Sequence, residues 1–193
     1  MALVTLAQVK TDLAIDSGDT SRDTPLSDAI AEAGARVVSF IGQPIEATVV
    51  TEVFDGNGWD SATLGYHPMS ALTILETRGG IGSDWTEVDA ETYELTANTI
   101  HYAGGFDEGV ANYRATFTVG YDSSSIPADV AGVAREMVIV RAQSTDLKGI
   151  GEHRLGVASV GENRAGVGVT TSYLDLTPSW KERLAPYRRT HGG

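Results

Sequence analysis

The spacing of apolar residues changes along this chain of 193 residues, and the first stretch has the period of helices. Near the start, Thr5 and Gln8 form a capping-box pattern, and the apolar residues that follow fall on one face of a short helix. After a polar turn, apolar residues recur at steps of four and three from Leu26 to Ile41 over about four turns, and a glycine then follows. These patterns predict a pair of helices over residues 1–43.

The apolar period shortens to two after Pro44, which is the alternation expected of half-buried β-strands. The segment ATVVTEVF alternates and ends at the sequence Asp-Gly-Asn-Gly, which favours a hairpin-type turn. We therefore predict an inserted antiparallel β subdomain over residues 44–122. Its clearest strand is ANYRATFTVGY, in which alternate residues share one face: Tyr113, Ala115, Phe117, Val119 and Tyr121.

Helical spacing returns after Pro127, where the chain is apolar nearly all round near the middle of the predicted helix. A helix of that kind is buried on more than one side, either within its own domain or against a neighbouring subunit. We predict this long core helix over residues 123–147.

Residues 148–176 are rich in glycine and contain no proline. Their glycines follow a helix, and no Gly-Lys-Ser/Thr sequence occurs in the chain, so the segment does not fit a nucleotide-phosphate loop. The part VGVTTSYLDL has enough β-branched and aromatic residues to add as a strand to a sheet edge. Two interpretations stay open, an extended docking arm and a disordered tail. Over residues 177–193 we predict a short basic helix that begins at Thr177 and Pro178.

The order of these segments predicts the α+β class rather than an alternating βαβ fold. We expect a helical core made of the two N-terminal helices and the long later helix. The antiparallel β subdomain is inserted between them, and an extended C-terminal arm ends in a short helix.

Composition narrows the functions that need to be considered. The net charge is −12, and an acidic body argues against tight wrapping of nucleic acid, which requires clustered lysine and arginine. The chain has no cysteine, which removes disulfides and thiolate nucleophiles. The N-terminus lacks the pattern of a secretory signal, and no apolar run approaches the roughly 18 residues of a membrane span. We expect a soluble protein made in a cytoplasm.

The residue patterns that could carry chemistry are weak. Asp55, Asn57 and Asp60 resemble a calcium loop, but Trp59 stands where an oxygen ligand is needed, which favours a turn. The histidines lack a second ligand at helical spacing and read as surface or turn residues: His67, His101, His153 and His191. We predict no catalytic site, no metal and no cofactor.

Five short segments follow one another in a recognisable order across nearly the whole chain. They are VTLAQVKTDLAID, PLSDAIAEAGARVVSFIGQPI, FTVGYDSSSIPADVAGVAREMV, EHRLGVASV and LTPSWKERLAPYRR. This succession resembles the head–tail connector (adaptor) proteins of long-tailed bacteriophages, in the version with a β insert between the helices. The long linker between LGVASV and the last helix departs from the pattern.

The resemblance implies a structural virion protein and not an enzyme. Such adaptors assemble in the host cytoplasm into a ring, generally a dodecamer, under the portal protein in the neck of the virion. The ring extends the channel through which DNA passes without specific binding, and it offers an attachment surface for a stopper or tail protein. An acidic body suits such a channel, because like charges repel.

The resemblance also implies two sets of contact residues. Those proposed for the subunit interface lie on the long core helix: Val133, Met137, Val140 and Arg141. Those proposed for portal docking lie at the C-terminal end: Tyr173, Leu174, Trp180, Lys181, Arg183, Leu184, Tyr187, Arg188 and Arg189. The other interpretation of the basic residues is a solvated helix whose charges suit its own dipole.

An alternative function is a ligand- or carbohydrate-binding β module of a phage or bacterial protein. It would use aromatic side chains of the β subdomain as stacking surfaces: Trp59, Tyr66, Trp85 and Tyr102. Aromatic residues of this kind also fill small β cores.

Overall fold

The structure is a computed structural model that describes residues 3–146 and 176–190. It has the predicted α+β class, with antiparallel sheets between helical segments. The elements follow in the order α1 (Leu6–Asp12), α2 (Asp23–Ile41), β1 (Thr48–Gly56), β2 (Ser61–Thr63), β3 (Met69–Thr77), β4 (Thr86–Glu87), β5 (Tyr93–Thr96), β6 (Thr99–Tyr102), β7 (Gly109–Val119), α3 (Ala128–Asp146) and α4 (Pro178–Leu184). Short 3-10 turns precede β5 and follow α4.

The N-terminal helices form where their end signals lie. The Thr5 hydroxyl accepts the Gln8 amide, and the Gln8 side chain accepts the Thr5 amide at 2.9 Å, which confirms the capping box. Helix α2 starts at Asp23 and has Pro25 in its first turn, where a missing amide costs no helical hydrogen bond. It ends before Gly42, whose φ of 77° suits glycine and whose amide donates to the Val38 carbonyl.

Strand β7 is the centre of a four-stranded sheet with the order β1-β7-β3-β4. It pairs antiparallel with β1 and with β3, so that Phe117 lies opposite Val50 on one side and Leu72 on the other. The alternation predicted for this strand is confirmed by its burial. The buried residues of β7 on the predicted face are Tyr113, Ala115, Phe117 and Val119.

The remaining strands form a three-stranded sheet with the order β2-β6-β5. Strands β5 and β6 form a hairpin whose turn holds Ala97 at a φ of 56°. The Asp-Gly-Asn-Gly sequence after β1 makes a turn, but the expectation of a hairpin was wrong, because β1 and β2 belong to different sheets. The Asn57 side chain shapes this turn by accepting the Trp59 amide and donating to the Ser61 carbonyl.

Aromatic side chains fill the core of the β region. The Phe106 ring meets Tyr113 edge to face, with 4.9 Å between the ring centroids. It also meets Phe54 and Tyr102 at centroid distances of 5.7 and 5.6 Å. Such pairs add to the stabilisation that comes from burying large apolar surfaces.

The described residues form two compact units. One unit draws on Val38–Pro127 together with the segment after Leu184 and holds both sheets. The other draws on Ala2–Val37 and Ala128–Leu184 and contains α1, α3 and α4. Within this helical unit, Arg135 of α3 donates to the Asp12 carboxylate at the end of α1.

Gly120 marks the point where the chain leaves β7. Its φ is 94°, and a Cβ placed there would lie 2.7 Å from the carbonyl oxygens of Ile45 and Glu46. The next residue, Tyr121, donates its amide to the Ile45 carbonyl at 2.7 Å, which fixes this close approach of two backbone segments. Glycine is therefore required here by both the torsion angle and the available space.

We expect Gly120→Ala to destabilise the β unit by about 2 kcal/mol or more, because the added methyl strains the φ angle and meets backbone atoms. Urea unfolding followed by circular dichroism measures the change. Gly79→Ala is the matched control, since a Cβ there meets nothing within 4 Å. Equal stability of the two variants would contradict the expectation.

None of the helices in the described residues is both long enough and apolar enough to cross a membrane.

Candidate interaction surfaces

Helix α4 forms because its first turn is capped and one of its faces is apolar. The Trp180 amide donates to the Thr177 hydroxyl at 3.3 Å, and Pro178 takes the first helical position, where its missing amide costs no hydrogen bond. Trp180 and Leu184 are four residues apart, so they lie on the same face. Both are buried, with 8% and 0% of their surface exposed.

The carboxylate of Glu136 on α3 joins the two helices. One oxygen accepts the Trp180 indole N–H at 2.8 Å, and the other accepts the Arg183 guanidinium at 2.7 Å. The same guanidinium lies 3.9 Å from Asp129, about two helical turns before Glu136 on α3. Space for it comes from Gly132, where a Cβ would lie 2.8 Å from the guanidinium nitrogen.

The segment after α4 is held in the β unit. The Arg189 amide donates to the Ile41 carbonyl at 2.8 Å, and its guanidinium donates to Glu52 and lies 3.9 Å from the centre of the Tyr66 ring. The Gln43 side chain donates to the Tyr187 carbonyl at 3.1 Å. Main-chain and side-chain contacts together fix the course of these last described residues.

The pKa values of two carboxyl groups in these contacts are shifted in opposite directions. Burial is the largest effect on Glu52, and it raises the pKa of this carboxyl although the Arg189 guanidinium opposes the change. Burial also acts to raise the pKa of Glu136, but the hydrogen bonds from Arg183 and Trp180 together outweigh it, and the pKa is lowered. Only at Glu136 do the partners outweigh burial, so only this carboxyl group ionises more easily in the folded protein than its ordinary pKa implies.

The residues proposed for portal docking separate into different environments. Trp180 and Leu184 contribute to the interior of the helical unit, so in this structure their apolar surfaces are used within the chain. Lys181, Arg188 and Arg189 are exposed, and Arg183 and Tyr187 are half-buried. Tyr173 and Leu174, like the rest of the arm at 148–176, lie outside the described residues.

The four residues proposed for the subunit interface also differ in their burial. Val133 and Met137 are fully buried, whereas Val140 is half-buried and Arg141 is exposed. The buried pair faces the interior of the chain that contains it. Of the four residues proposed for the interface, Val140 and Arg141 are therefore the two with accessible surface on α3.

The other candidate residues are spread over the β unit. The Asp55 carboxylate accepts the Ala111 amide at 2.6 Å, and the described residues contain no cluster of side chains suited to a metal. His67 makes a contact from its ring to the Pro186 carbonyl, and His101 lies exposed on β6. His153 and His191 lie outside the described residues.

The four aromatic residues of the carbohydrate alternative have different neighbours. Trp59 is 72% exposed, whereas Tyr66 packs on Phe117. The Trp85 ring is covered by the guanidinium groups of Arg78 and Arg114, at 4.4 and 4.6 Å from its centre. Tyr102 packs on the core ring of Phe106. Tyr66 and Tyr102 therefore help to build the β core, whereas the Trp85 ring is occupied by two cations.

Sequence reasoning missed Glu136 and Glu52, which hold the two parts of the C-terminal segment. Neither stands in a motif, because each partner is remote in sequence: Glu136 is 44 residues before Trp180, and Glu52 is 137 before Arg189. The available signal was the excess of basic residues after position 177, which favours contacts with acidic residues elsewhere in the chain.

Comparison with solved structures finds the same fold in phage-like particles. The chain is 17% identical to a chain in the neck of an empty gene transfer agent particle computed with C6 symmetry. That match covers 98% of this chain and 91% of the other, with a TM-score of 0.58. A chain in the virion of a native gene transfer agent particle is 16% identical, with coverage of 98% and 91% and a TM-score of 0.55.

A third similar structure is the neck of a native gene transfer agent particle computed with C12 symmetry. Identity is 17%, the match covers 96% of this chain and 88% of the other, and the TM-score is 0.50. No family of known proteins and no curated protein matches the sequence. The likeness extends over both units and the C-terminal helix, and at this identity it concerns the fold.

We predict that acid loosens α4 and that Glu136 is responsible. Its lowered pKa means that the contribution to stability is present above the unfolded-state pKa of about 4.3 and is lost as the pH falls through the folded-state value. Protection factors of the amides of residues 178–184, corrected for the pH dependence of intrinsic exchange, measure this between pH 6 and pH 3. In Glu136→Gln the loss of protection in acid should shrink, and an unchanged loss would contradict the role. Glu94→Gln, at an exposed position of β5, is the matched control.

Proposed function

We propose that this protein is a structural component of the neck of a phage-like virion, where it acts as a head–tail connector. The observation that carries the proposal is the fold likeness over 98% of this chain to a chain in a gene transfer agent neck. The likeness spans the helical elements, the β insert and the C-terminal helix in one order. The order of sequence segments described above points independently to the same class.

We further propose that copies of the chain assemble into a ring. The similar necks were computed with C6 and C12 symmetry, and rotational symmetry requires each subunit to contact its neighbours through a repeated pair of surfaces. On α3, Val140 and Arg141 supply accessible surface for one side of such a contact. Val133 and Met137 would act behind them by holding the helix in place.

The docking role of the C-terminal segment is also a proposal. Trp180 and Leu184 would position α4 from its buried face, and the basic side chains on its other faces would meet the portal protein. Lys181 is the exposed cation in the middle of that helix. A stopper or tail protein would attach elsewhere on the ring, and DNA would pass through the acidic channel without specific binding.

We expect Val140→Asp to prevent ring formation, because a charge at a half-buried contact must lose water when subunits meet. Negative-stain images and sedimentation of the full chain, alone and with portal rings, measure assembly. Arg36→Gln on α2 serves as the control for a changed surface charge. Rings of normal yield from folded Val140→Asp would argue against this interface, and absence of rings in every condition would argue against the connector.

We expect Lys181→Glu to weaken co-sedimentation with portal rings about fivefold or more, since a rim charge that is reversed repels its former partner. The helix should stay folded, because the side chain is exposed and Trp180 is unchanged. Arg36→Glu is the matched control, with the same change of charge outside the C-terminal segment. Undiminished binding of folded Lys181→Glu would remove this residue from the docking surface.

A further inference from the structure

Two strands that follow each other in sequence leave a groove between them. Strand β1 forms one edge of the four-stranded sheet, and β2 forms one edge of the three-stranded sheet. The turn that joins them brings them together at one end, yet each is paired only on its other side in the described structure. Both strands therefore present main-chain N–H and C=O groups that no neighbouring strand satisfies.

The groove lies beside the last part of β1 and the turn that follows it. It is lined by β1 and the turn over 52–57 and by β2 and its continuation over 62–65, and its volume is about 470 Å³. Six residues of strand extend about 20 Å. The apolar side chains that a ligand could reach are Val53, which is 47% exposed, and the half-buried Phe54. Ala62 and Leu64 are buried in the core and line the groove only from behind.

The chain's own C-terminal segment already contacts one end of these walls. The Thr190 amide donates to the Gly65 carbonyl at 3.1 Å, and the Arg189 guanidinium donates to Glu52. A main-chain donor and a cation are thus accommodated next to the groove. The outer edge of β1 from Val53 to Asp55 pairs with no strand of the described residues, whereas the Gly56 amide beyond it is already held by the Asn112 side chain at 2.7 Å.

Two acidic side chains lie at the other end. Asp55 lines the groove, and the Glu108 side chain adjoins Gly58 in the turn after β1. Both are exposed, so a cationic ligand would find them accessible.

We propose that this groove binds an extended, basic segment of another protein chain, which adds as a strand to the free edge of β1. Main-chain hydrogen bonds to β1 would supply affinity. Alternate side chains of the segment would point to the apolar walls, and lysine or arginine between them would meet Asp55 and Glu108. The proposal does not require the ring or portal contacts proposed above, although Arg189 of the portal-docking set borders one end of the groove.

A capped synthetic hexapeptide that alternates valine and lysine is the probe, tested on the full chain. We expect it to slow amide exchange in residues 52–57, with weaker binding at higher salt. The control peptide has the same sequence with methyl groups on the valine amides, which removes donors without changing charge. It should bind at least about tenfold more weakly, because several hydrogen bonds are lost.

A pair of charge variants tests the acidic end. Asp55→Asn with Glu108→Gln should weaken binding of the hexapeptide about fivefold, since two exposed charges are removed while the asparagine still accepts the Ala111 amide. Glu87→Gln with Glu94→Gln is the matched control, with the same loss of charge on β4 and β5, and should leave affinity unchanged.

Several outcomes would overturn the proposal. The methylated peptide could bind as well as the unmethylated one, or protection could fall outside β1. If both pairs of variants weakened hexapeptide binding equally, the effect would come from the net charge of the protein and not from the acidic residues beside the groove. Self-association of the protein that the hexapeptide competes away would assign the groove to a second copy of the chain instead of a foreign segment. Sedimentation of the protein with and without peptide measures that last outcome.

Discussion

The pairing of β7 on both of its sides is the constraint on which the β unit depends. Its inward residues are fully or almost fully buried, so the position of β7 decides which side chains of β1 and β3 also reach the core. A shift by one residue would bring Arg114 into the apolar interior and separate it from Glu76, to which it donates two hydrogen bonds at 2.6 and 2.5 Å. The cost of that exchange keeps the sheet in one register.

Different kinds of interaction hold the two parts of the C-terminal segment in place. Helix α4 is held by apolar burial of Trp180 and Leu184, with Glu136 as a hydrogen-bonded partner that is best ionised. Farther on, the main chain of Arg189 is tied to Ile41, while its charge meets Glu52, a carboxylate whose pKa is raised by burial. The exposed cations therefore lie on the surface of a segment whose apolar side chains, Trp180 and Leu184, are already buried within the chain.

The sequence predicted those parts of the fold that rest on long periodic patterns. Helix α2 and strand β7 have many residues in one period, so burial follows their sequence directly. The hairpin of β5 and β6 was not predicted, because Ala97 takes the positive φ in its turn where glycine or asparagine would give a signal. The separation of β1 from β2 could not be predicted, because it depends on which remote strand each one meets. For the same reason the basic residues of α4 were found and Glu136 was not.

Gly120 has a consequence for how distant relatives of this fold can be compared. At 16–17% identity, most positions tolerate exchange of side chains and give no fixed point for aligning two sequences. Here the excluded volume belongs to the backbone at Ile45 and Glu46, so no substitution elsewhere makes room for a side chain. A homologue that carries a bulky residue at the equivalent site must route its chain differently between α2 and β1. This one position therefore offers a landmark for superposing divergent members of the fold.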